Sequence, residues 1–284
     1  MKLGIIGNGF VGNATYQLMC KEIDILAYDL NPDLCKPKGT KITDLLTCDI
    51  IFISVPTPMK NTGECHINIV KNVVLQLKQL NFKQFIVLRS TVPPGTCDDL
   101  DIYFMPEFLT EKNYIQDFIN NTDWIFGLPQ NNNHNNITFK NTITKLFTIS
   151  KKYNRIKHNT IHFLTNNEAE MIKMFRNCFL ATKVSFCNEI YQFCLSKNIN
   201  YENVRKIATK DTRILENHSF VPGHDGKKGF GGTCFPKDTH SLSYEMKKIG
   251  LKSYILQSII ERNETIDRPE QDWNENKGRA VLDN

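Results

Sequence analysis

The chain has 284 residues, of which 40% are hydrophobic, so it can bury a sizeable core and we expect two globular domains. Its formal charge of +5 comes from Lys and Arg residues that are spread along the chain, which gives no reason to expect nucleic acid as a partner. No run of about 18 apolar residues occurs, and a β-like segment follows Met1 directly, so neither a membrane partner nor a signal peptide is expected. These features predict a cytoplasmic protein.

The nine cysteines form an odd set, and none of them lies in a Cys-x-x-Cys pair. This pattern argues against a disulfide framework and against a zinc site. We therefore expect no metal, and we expect most of the cysteines to be small buried hydrophobic residues in a reducing compartment.

Residues 1–160 alternate short β-rich runs with helical stretches. The predicted strands are 2–6, 24–28, 50–55, 85–88, 102–105 and 124–126. Such alternation predicts an α/β fold, with a Rossmann-like, doubly wound parallel sheet in a first domain at 1–163. We interpret the Asn-rich segment 129–136 as a surface loop, because Asn side chains compete for backbone hydrogen bonds.

The second half of the chain has a helical pattern. Residues 167–196 contain neither Gly nor Pro and carry apolar side chains on more than one face. A helix that is so apolar must be covered on most sides, so we expect it to pack against a second copy of the chain in a homodimer. Further helices are predicted at 201–209 and 239–263. The second domain, 164–284, is thus expected to be all-helical and to mediate dimerisation.

A glycine-rich turn, Gly7-Asn8-Gly9-Phe10-Val11-Gly12, follows the first predicted strand and opens a helical stretch. In such a turn the first glycine permits a tight bend, the second lets a pyrophosphate approach, and the third allows close packing of helix on strand. Asp29 ends the second strand, where a carboxylate can bind ribose hydroxyls and would repel a 2′-phosphate. Together they predict NAD binding. The alternative is a glycine turn in an α/β domain that binds no dinucleotide.

Two further predicted strands end in polar, Pro-containing turns. Ligands of open α/β sheets lie beyond the carboxyl ends of the strands, so we expect these turns to contact the cofactor. Taken alone, they could equally be ordinary turns. The expected cofactor contacts are Val55, Pro56, Thr57, Ser90 and Thr91.

The segment 229–238 places Cys234 after a glycine-rich loop and before the cation of Lys237 and the carboxylate of Asp238. Glycines let substrate and backbone come close, and nearby positive charge favours the thiolate. A lone cysteine is more often a buried hydrophobic residue, but these neighbours favour a nucleophile.

Seven motifs together resemble the UDP-glucose/GDP-mannose dehydrogenase family, most closely its UDP-glucose dehydrogenase branch, and they follow the family's order. They are the turn at 7–12, Val-Pro-Thr-Pro at 55–58, Ser-Thr-Val-Pro at 90–93, Pro-Glu-Phe-Leu at 106–109 with Glu111, 170–177, Arg-Ile at 213–214, and 229–238. The resemblance implies a four-electron oxidation with two NAD molecules, in which the primary alcohol of a nucleotide sugar becomes a carboxylate. UDP-glucose is the expected substrate, and UDP-glucuronate for polysaccharide biosynthesis the expected product.

The resemblance also implies catalytic roles. Cys234 would be the nucleophile that forms first a thiohemiacetal and then a thioester. Lys173 and Asn177, four residues apart on one helix face, would stabilise an oxyanion. Glu107, helped by Thr91, would act as a general base or position water. By spacing alone, Lys173 would be a solvated surface lysine and Asn177 an ordinary polar residue of a helix.

Further residues receive binding or supporting roles from the same resemblance. Asp238 would orient water or Lys173, Glu111 would lie between nicotinamide and substrate, and Arg213 would reach the substrate of a neighbouring subunit. The alternatives are helix-capping carboxylates for Asp238 and Glu111 and a surface ion pair for Arg213. The remaining expected contacts are Lys237 with the cofactor, and Glu107, Phe108, Leu109, Lys173, Asn177, Phe230, Gly231 and Gly232 with the sugar nucleotide.

Relatives in this family carry a third, C-terminal domain that binds the uridine part of the substrate, and we expect it to be lacking in these 284 residues. Without its contacts, less binding energy orients the sugar, so slow or absent turnover is an alternative expectation. The chain would then be an NAD-binding dimeric subunit. A dehydrogenase of UDP-N-acetylmannosamine or GDP-mannose is a further alternative.

Overall fold

The computed structural model describes residues 1–130 and 133–282. The chain divides into two units. The first comprises Met1–Thr57 and Ile67–Lys173, and the second comprises Pro58–His66 and the residues from Met174 onward. The domain boundary expected between 163 and 164 stays a prediction. The division of this structure lies ten residues further on, inside a helix.

A seven-stranded sheet forms the centre of the first unit. Its strands are β1 (Lys2–Ile6), β2 (Asp24–Tyr28), β3 (Ile50–Ile53), β4 (Phe85–Leu88), β5 (Tyr103–Phe104), β6 (Asp123–Leu128) and β7 (Thr160–Thr165). They lie in the order β2-β1-β3-β4-β5-β6-β7. All neighbours are parallel except β5 and β6, which pair antiparallel. The predicted fold class is confirmed, and the sheet is parallel apart from this pairing.

The central strand β3 shows why helices cover both faces of the sheet. Its side chains Ile50, Ile51, Phe52 and Ile53 are all 0% exposed. Because side chains alternate along a strand, Ile50 and Phe52 belong to one hydrophobic cluster and Ile51 and Ile53 to another. A parallel strand that is apolar on both sides must be covered on both sides, which is the doubly wound arrangement.

The helices of the first unit are α1 (Phe10–Tyr16), α2 (Asn68–Gln79), α3 (Thr96–Leu100), α4 (Tyr114–Asn120) and α5 (Asn133–Lys152). The surface loop predicted at 129–136 is wrong for 133–136, which form the first turn of α5. The side chains of Phe139, Ile143 and Leu146 recur at helical spacing and are 0% exposed, and the helix that buries them begins within the Asn-rich stretch. Residues 131 and 132 of that prediction lie outside the described residues.

The remaining helices are α6 (Asn166–Ser196), α7 (Tyr201–Ala208), α8 (Phe235–Lys248) and α9 (Tyr254–Arg262). The long helix predicted at 167–196 is confirmed as α6. The prediction of a single helix at 239–263 is wrong, because two helices, α8 and α9, cover this range. Helix α8 ends where Gly250 takes a φ of +79° and the N–H of Leu251 donates a hydrogen bond to Met246 O at 2.9 Å. Within the described part of the chain, no helix is long and apolar enough to cross a membrane.

Candidate functional site

The glycine turn between β1 and α1 lies beside the end of β3. Gly7 has a φ of +85°, and a Cβ on it would lie 2.5 Å from the carbonyl oxygen of Ser54. A Cβ on Gly12 would lie 2.1 Å from the carbonyl oxygen of Gly7. By contrast, a Cβ on Gly9 would meet no atom of the described residues within 4 Å. The turn therefore combines a tight bend, a close helix contact and an open backbone, as the motif predicts.

The two Pro-containing turns after β3 and β4 are hydrogen-bonded to each other. Thr57 Oγ1 donates to Thr91 O at 2.8 Å, and Ser90 Oγ donates to Val55 O at 2.6 Å, with Pro56 between the two bonded positions. Because β2 and β3 lie on opposite sides of β1, the strand order reverses here, and this is where open α/β sheets bind ligands. The five residues expected to contact the cofactor thus come together.

The residues around Asp29 fit a dinucleotide. One oxygen of its half-buried carboxylate accepts the N–H of Asn8 at 2.7 Å and the other that of Asn31 at 2.9 Å. Each oxygen can accept a further hydrogen bond, so ribose hydroxyls can still bind. Asn8 is 2% exposed, and among the described residues its Oδ1 has no hydrogen-bond partner. This buried acceptor, the open Gly9 and the N-terminus of α1 are compatible with bound NAD.

A buried ion pair in the first unit joins two residues with expected catalytic roles. Lys173 Nζ donates to Glu107 Oε2 at 3.0 Å, and the two side chains are 4% and 6% exposed. Glu107 Oε1 accepts the N–H of Leu109, and the Lys173 ammonium lies 5.8 Å from the centre of the Phe108 ring. The alternative interpretation of Lys173 as a solvated surface lysine is therefore wrong.

Two other predicted residues lie in exposed positions. Glu111 is exposed, four residues after Glu107. Arg213 has a side chain that is 87% exposed and lies 2.6 Å from the Asp211 carboxylate. The surface ion pair that was the alternative for Arg213 is present, and its role across a subunit interface stays a prediction.

In the second unit, Cys234 is the half-buried N-cap residue of α8. One turn further on, Asp238 is 0% exposed and accepts hydrogen bonds from Asn177 Nδ2 at 2.5 Å and Lys237 Nζ at 2.6 Å. The Asp238 carboxylate therefore binds two other side chains from the first turn of α8, and its role in orienting water or Lys173 stays a prediction. The structure brings three of the predicted residues, Asn177, Lys237 and Asp238, into one hydrogen-bonded group.

Two cysteines near this group, Cys178 and Cys234, differ in how well their surroundings stabilise a thiolate. Burial lowers the pKa of Lys237, but Asp238, Cys65 and Cys234 together raise it by more, so the pKa lies above its usual value. Burial raises the pKa of the Cys178 thiol to about 12, and its S–H donates to the carbonyl oxygen of Asp238. Cys178 is thus an inert thiol, whereas Cys234 lies at a helix N-terminus, where unpaired N–H groups stabilise negative charge.

The glycine loop before Cys234 is held by two residues that sequence reasoning missed. Asn263 Oδ1 accepts Phe230 N–H at 2.8 Å, and its Nδ2 donates to Phe230 O at 2.9 Å. A Cβ on Gly231 would lie 2.4 Å from the guanidinium carbon of Arg268, which pairs with Asp225 at 2.7 Å. A lone Asn and a lone Arg more than 30 residues downstream carry no motif, so no signal in the sequence could have found them.

The last glycine of the loop differs from its neighbours. Gly232 has a φ of +72°, and a Cβ there would approach no described atom within 4 Å. A Cβ on Gly229 would instead lie 2.3 Å from the Asn263 side chain. The backbone two residues before Cys234 is therefore accessible to a ligand, while the start of the loop is packed.

Two family models match this chain. Residues 38–149 match the NAD binding domain of the UDP-glucose/GDP-mannose dehydrogenase family, and residues 167–265 match its central domain. The chain belongs to this family. The resemblance based on seven motifs is thereby confirmed, and the family's NAD binding domain agrees with the predicted cofactor.

Curated relatives support the same assignment. The UDP-glucose 6-dehydrogenase of Rickettsia typhi is 31% identical over 84% of this chain and 55% of its own length. The UDP-glucose 6-dehydrogenase TuaD of Bacillus subtilis is 32% identical over 76% of this chain and 46% of its own length. The chain thus spans about half the length of the curated relatives it matches.

Solved structures share the fold. A UDP-glucose dehydrogenase from Pyrobaculum islandicum matches with a TM-score of 0.77 and 21% identity, over 93% of this chain and 68% of that one. A GDP-mannose dehydrogenase from Pseudomonas aeruginosa matches with a TM-score of 0.63 and 21% identity, over 98% of this chain and 71% of that one. At such identities the likeness shows the fold alone.

Proposed function

We propose that this chain is an NAD-dependent dehydrogenase that oxidises the primary alcohol of UDP-glucose to the carboxylate of UDP-glucuronate through a covalent intermediate on Cys234. The observation that carries the proposal is the position of Cys234, at the N-terminus of α8 and one turn before the buried group of Asn177, Lys237 and Asp238. A cysteine nucleophile needs surroundings that stabilise the thiolate and the oxyanion that forms after attack.

The first unit supplies the cofactor site. The open backbone at Gly9 and the first N–H groups of α1 suit a pyrophosphate, and the carboxylate of Asp29 suits ribose hydroxyls. Bound NAD would supply the oxidising equivalents, one molecule for each two-electron step.

Glu107 would accept the proton of the reacting hydroxyl group, and Lys173 would stabilise the negative charge that develops on its oxygen. The alcohol must lose its O–H proton as it is oxidised, and the buried Glu107 carboxylate is the base that accepts this proton. The Lys173 ammonium, 3.0 Å from that carboxylate, donates hydrogen bonds to the oxygen as negative charge develops on it. The Glu107 side chain then releases this proton to solvent, and the regenerated carboxylate later takes a proton from the water that releases the product.

Cys234 divides the second oxidation into easier steps. Its sulfur bonds to the aldehyde carbon, and the carbonyl oxygen takes up the electron pair. The Asn177 amide has a second N–H, besides the one bound to Asp238, that can stabilise this oxygen. Oxidation of the thiohemiacetal gives a thioester. Water then adds to the same carbon, the C–S bond breaks, and Cys234 leaves as the thiolate. The carboxylic acid formed in this step loses its remaining proton to solvent and becomes the carboxylate.

We also propose that the protein is a homodimer through α6. The side chains of Phe175, Phe179, Phe186 and Phe193 are 56–62% exposed along this helix. The last three are seven residues apart, so they lie along one side of α6, and the rings of Phe175 and Phe179 are stacked 6.2 Å apart. A continuous exposed apolar stripe is typical of a surface that a partner covers, and a second copy presents the same stripe.

The test is NADH production by the purified protein with NAD and UDP-glucose, beside Cys234→Ala and a control variant at another half-buried cysteine, Cys20→Ala. We expect about two NADH per UDP-glucose from the wild type and the control, and stalled or absent turnover from Cys234→Ala. About one NADH per sugar in the wild type would instead indicate a simple alcohol dehydrogenase.

Two other outcomes would replace parts of the proposal. NADH production with UDP-N-acetylmannosamine or GDP-mannose, but not with UDP-glucose, would change the substrate and keep the chemistry. No NADH with any of the three, despite measurable NAD binding, would leave an NAD-binding dimer without dehydrogenase activity.

A further inference from the structure

Arg89, at the end of β4, is a buried cation without a counter-ion in the described part of the chain. Its side chain is 2% exposed, and its Nη1 donates to Val11 O at 3.2 Å and to Thr15 Oγ1, both on α1. The guanidinium lies 5.5 Å from the centre of the Phe118 ring, and among residues 1–130 and 133–282 its Nε has no hydrogen-bond partner. A cavity of about 20 Å³ beside it has room for about one water, which carries no charge.

A charge in such a position is costly. Burial lowers the pKa of Arg89 to about 10, against the opposing effect of Glu107, so the guanidinium still carries its proton at neutral pH. Glu107 itself is paired with Lys173 at 3.0 Å. The carboxylate nearest in effect is therefore paired with another cation, and Arg89 has no ion pair of its own among the described residues.

The buried Arg89 guanidinium lies next to the helix that opens the cofactor site. Arg89 contacts Val11 and Thr15, which are the second and sixth residues of α1, and α1 starts directly after the open Gly9. The N-terminus of a helix already favours an anion, and a cation beside its first turns adds a field of the same sign. We propose that Arg89 is a positioning residue of the cofactor site, whose buried charge is countered by the pyrophosphate of the bound dinucleotide. This inference rests on the proposed NAD-dependent function.

The hydrogen bonds of Arg89 allow its role in cofactor binding to be distinguished from a role in stabilising the fold. If its guanidinium is removed, the hydroxyl of Thr15 still donates to Val11 O at 3.1 Å, so both groups keep a hydrogen bond. Replacing a buried charge by an apolar side chain of similar length is often neutral or stabilising. Arg89→Met should therefore leave the ligand-free protein with an unchanged or higher Tm, whereas a purely structural arginine would lower the Tm when it is lost.

The experiment measures the binding of NAD, ADP-ribose and adenosine to the wild type, Arg89→Met and Arg89→Lys by calorimetry, with the Tm of each ligand-free protein. We expect Arg89→Met to weaken the binding of NAD and of ADP-ribose by the same factor, about tenfold or more, because both ligands carry the pyrophosphate. Adenosine, which has no phosphate, should bind within about twofold of the wild type. Arg89→Lys should retain most of the NAD affinity, since it keeps the charge. Lys71→Met, which removes an exposed lysine on α2, should change none of these values.

The inference would be overturned if Arg89→Met bound NAD as tightly as the wild type does. It would also be overturned if this variant lost affinity for NAD and for adenosine by the same factor and had a lower Tm. If the wild type itself does not bind NAD, the proposed function fails, and the inference fails with it.

Discussion

At the scale of single residues, the buried pair of Lys173 and Glu107 is the feature that sequence spacing could not reveal. The two residues are 66 positions apart and share a 3.0 Å hydrogen bond. The family motifs placed both in the reaction, but no local pattern predicts that their side chains meet. By contrast, the roles of Gly7 and Gly12 follow from backbone geometry that the turn motif already encodes, and the structure agrees with them.

The Lys173 pair gives a stability prediction. Lys173→Met should lower the free energy of unfolding by about 3 kcal/mol, because it leaves the Glu107 carboxylate buried without its partner. Adding Glu107→Gln should recover a large part of that loss, since no charge then remains. Urea denaturation at pH 7 measures both values.

An exposed ion pair is the matched control. Lys152 lies 2.8 Å from Glu22, and the two side chains are 65% and 41% exposed, so Lys152→Met should change the free energy of unfolding by less than about 1 kcal/mol. A loss for Lys173→Met as small as that for Lys152→Met would show that the 173–107 pair is not a buried interaction in solution.

At the scale of elements, the strands with continuous apolar runs were predicted closely, and those without such runs were not. β3 is buried on both faces, so its sequence is a continuous apolar run that predicts a strand. β7 has the sequence Thr-Ile-His-Phe-Leu-Thr and is only partly buried, and the sequence analysis did not predict it. β7 is the last strand at one edge of the sheet, so one of its sides lacks a neighbouring strand. The antiparallel pairing of β5 with β6 was also beyond prediction, because β5 has only two residues and its direction depends on tertiary packing.

In the turn between β1 and α1, one substitution is expected to weaken NAD binding without lowering the free energy of unfolding by much. Gly9→Ala should change the free energy of unfolding by less than about 1 kcal/mol, since its φ is −64° and a Cβ there meets no described atom within 4 Å. It should still weaken NAD binding about tenfold, because a methyl group would occupy the approach of the pyrophosphate. Calorimetry and thermal unfolding measure the two effects.

Gly12→Ala is the complementary variant. Its Cβ would lie 2.1 Å from Gly7 O, so it should lower the free energy of unfolding by about 2 kcal/mol. If Gly9→Ala bound NAD as tightly as the wild type, the open backbone at Gly9 would not be the pyrophosphate site.

At the scale of the whole molecule, the apolar stripe on α6 predicts the oligomeric state. Phe179→Glu with Phe186→Glu should convert a dimer into a monomer, because four carboxylates would then face one another across the interface of the two copies. Sedimentation velocity at micromolar concentration measures this, with Leu75→Glu on α2, where the leucine is 53% exposed, as the control. A wild type that sediments as a monomer would contradict the proposed dimer.

The covalent intermediate on Cys234 can be detected by peptide mass spectrometry of the protein quenched in acid during turnover of UDP-glucose with NAD. We expect the peptide containing Cys234 to carry the mass of a UDP-glucuronyl thioester that hydroxylamine removes. The Cys178 peptide should stay unmodified, because burial raises the pKa of that thiol to about 12. Full conversion of UDP-glucose to the carboxylate, with the Cys234 peptide unmodified at every quench time, would show that the reaction does not pass through a thioester on Cys234.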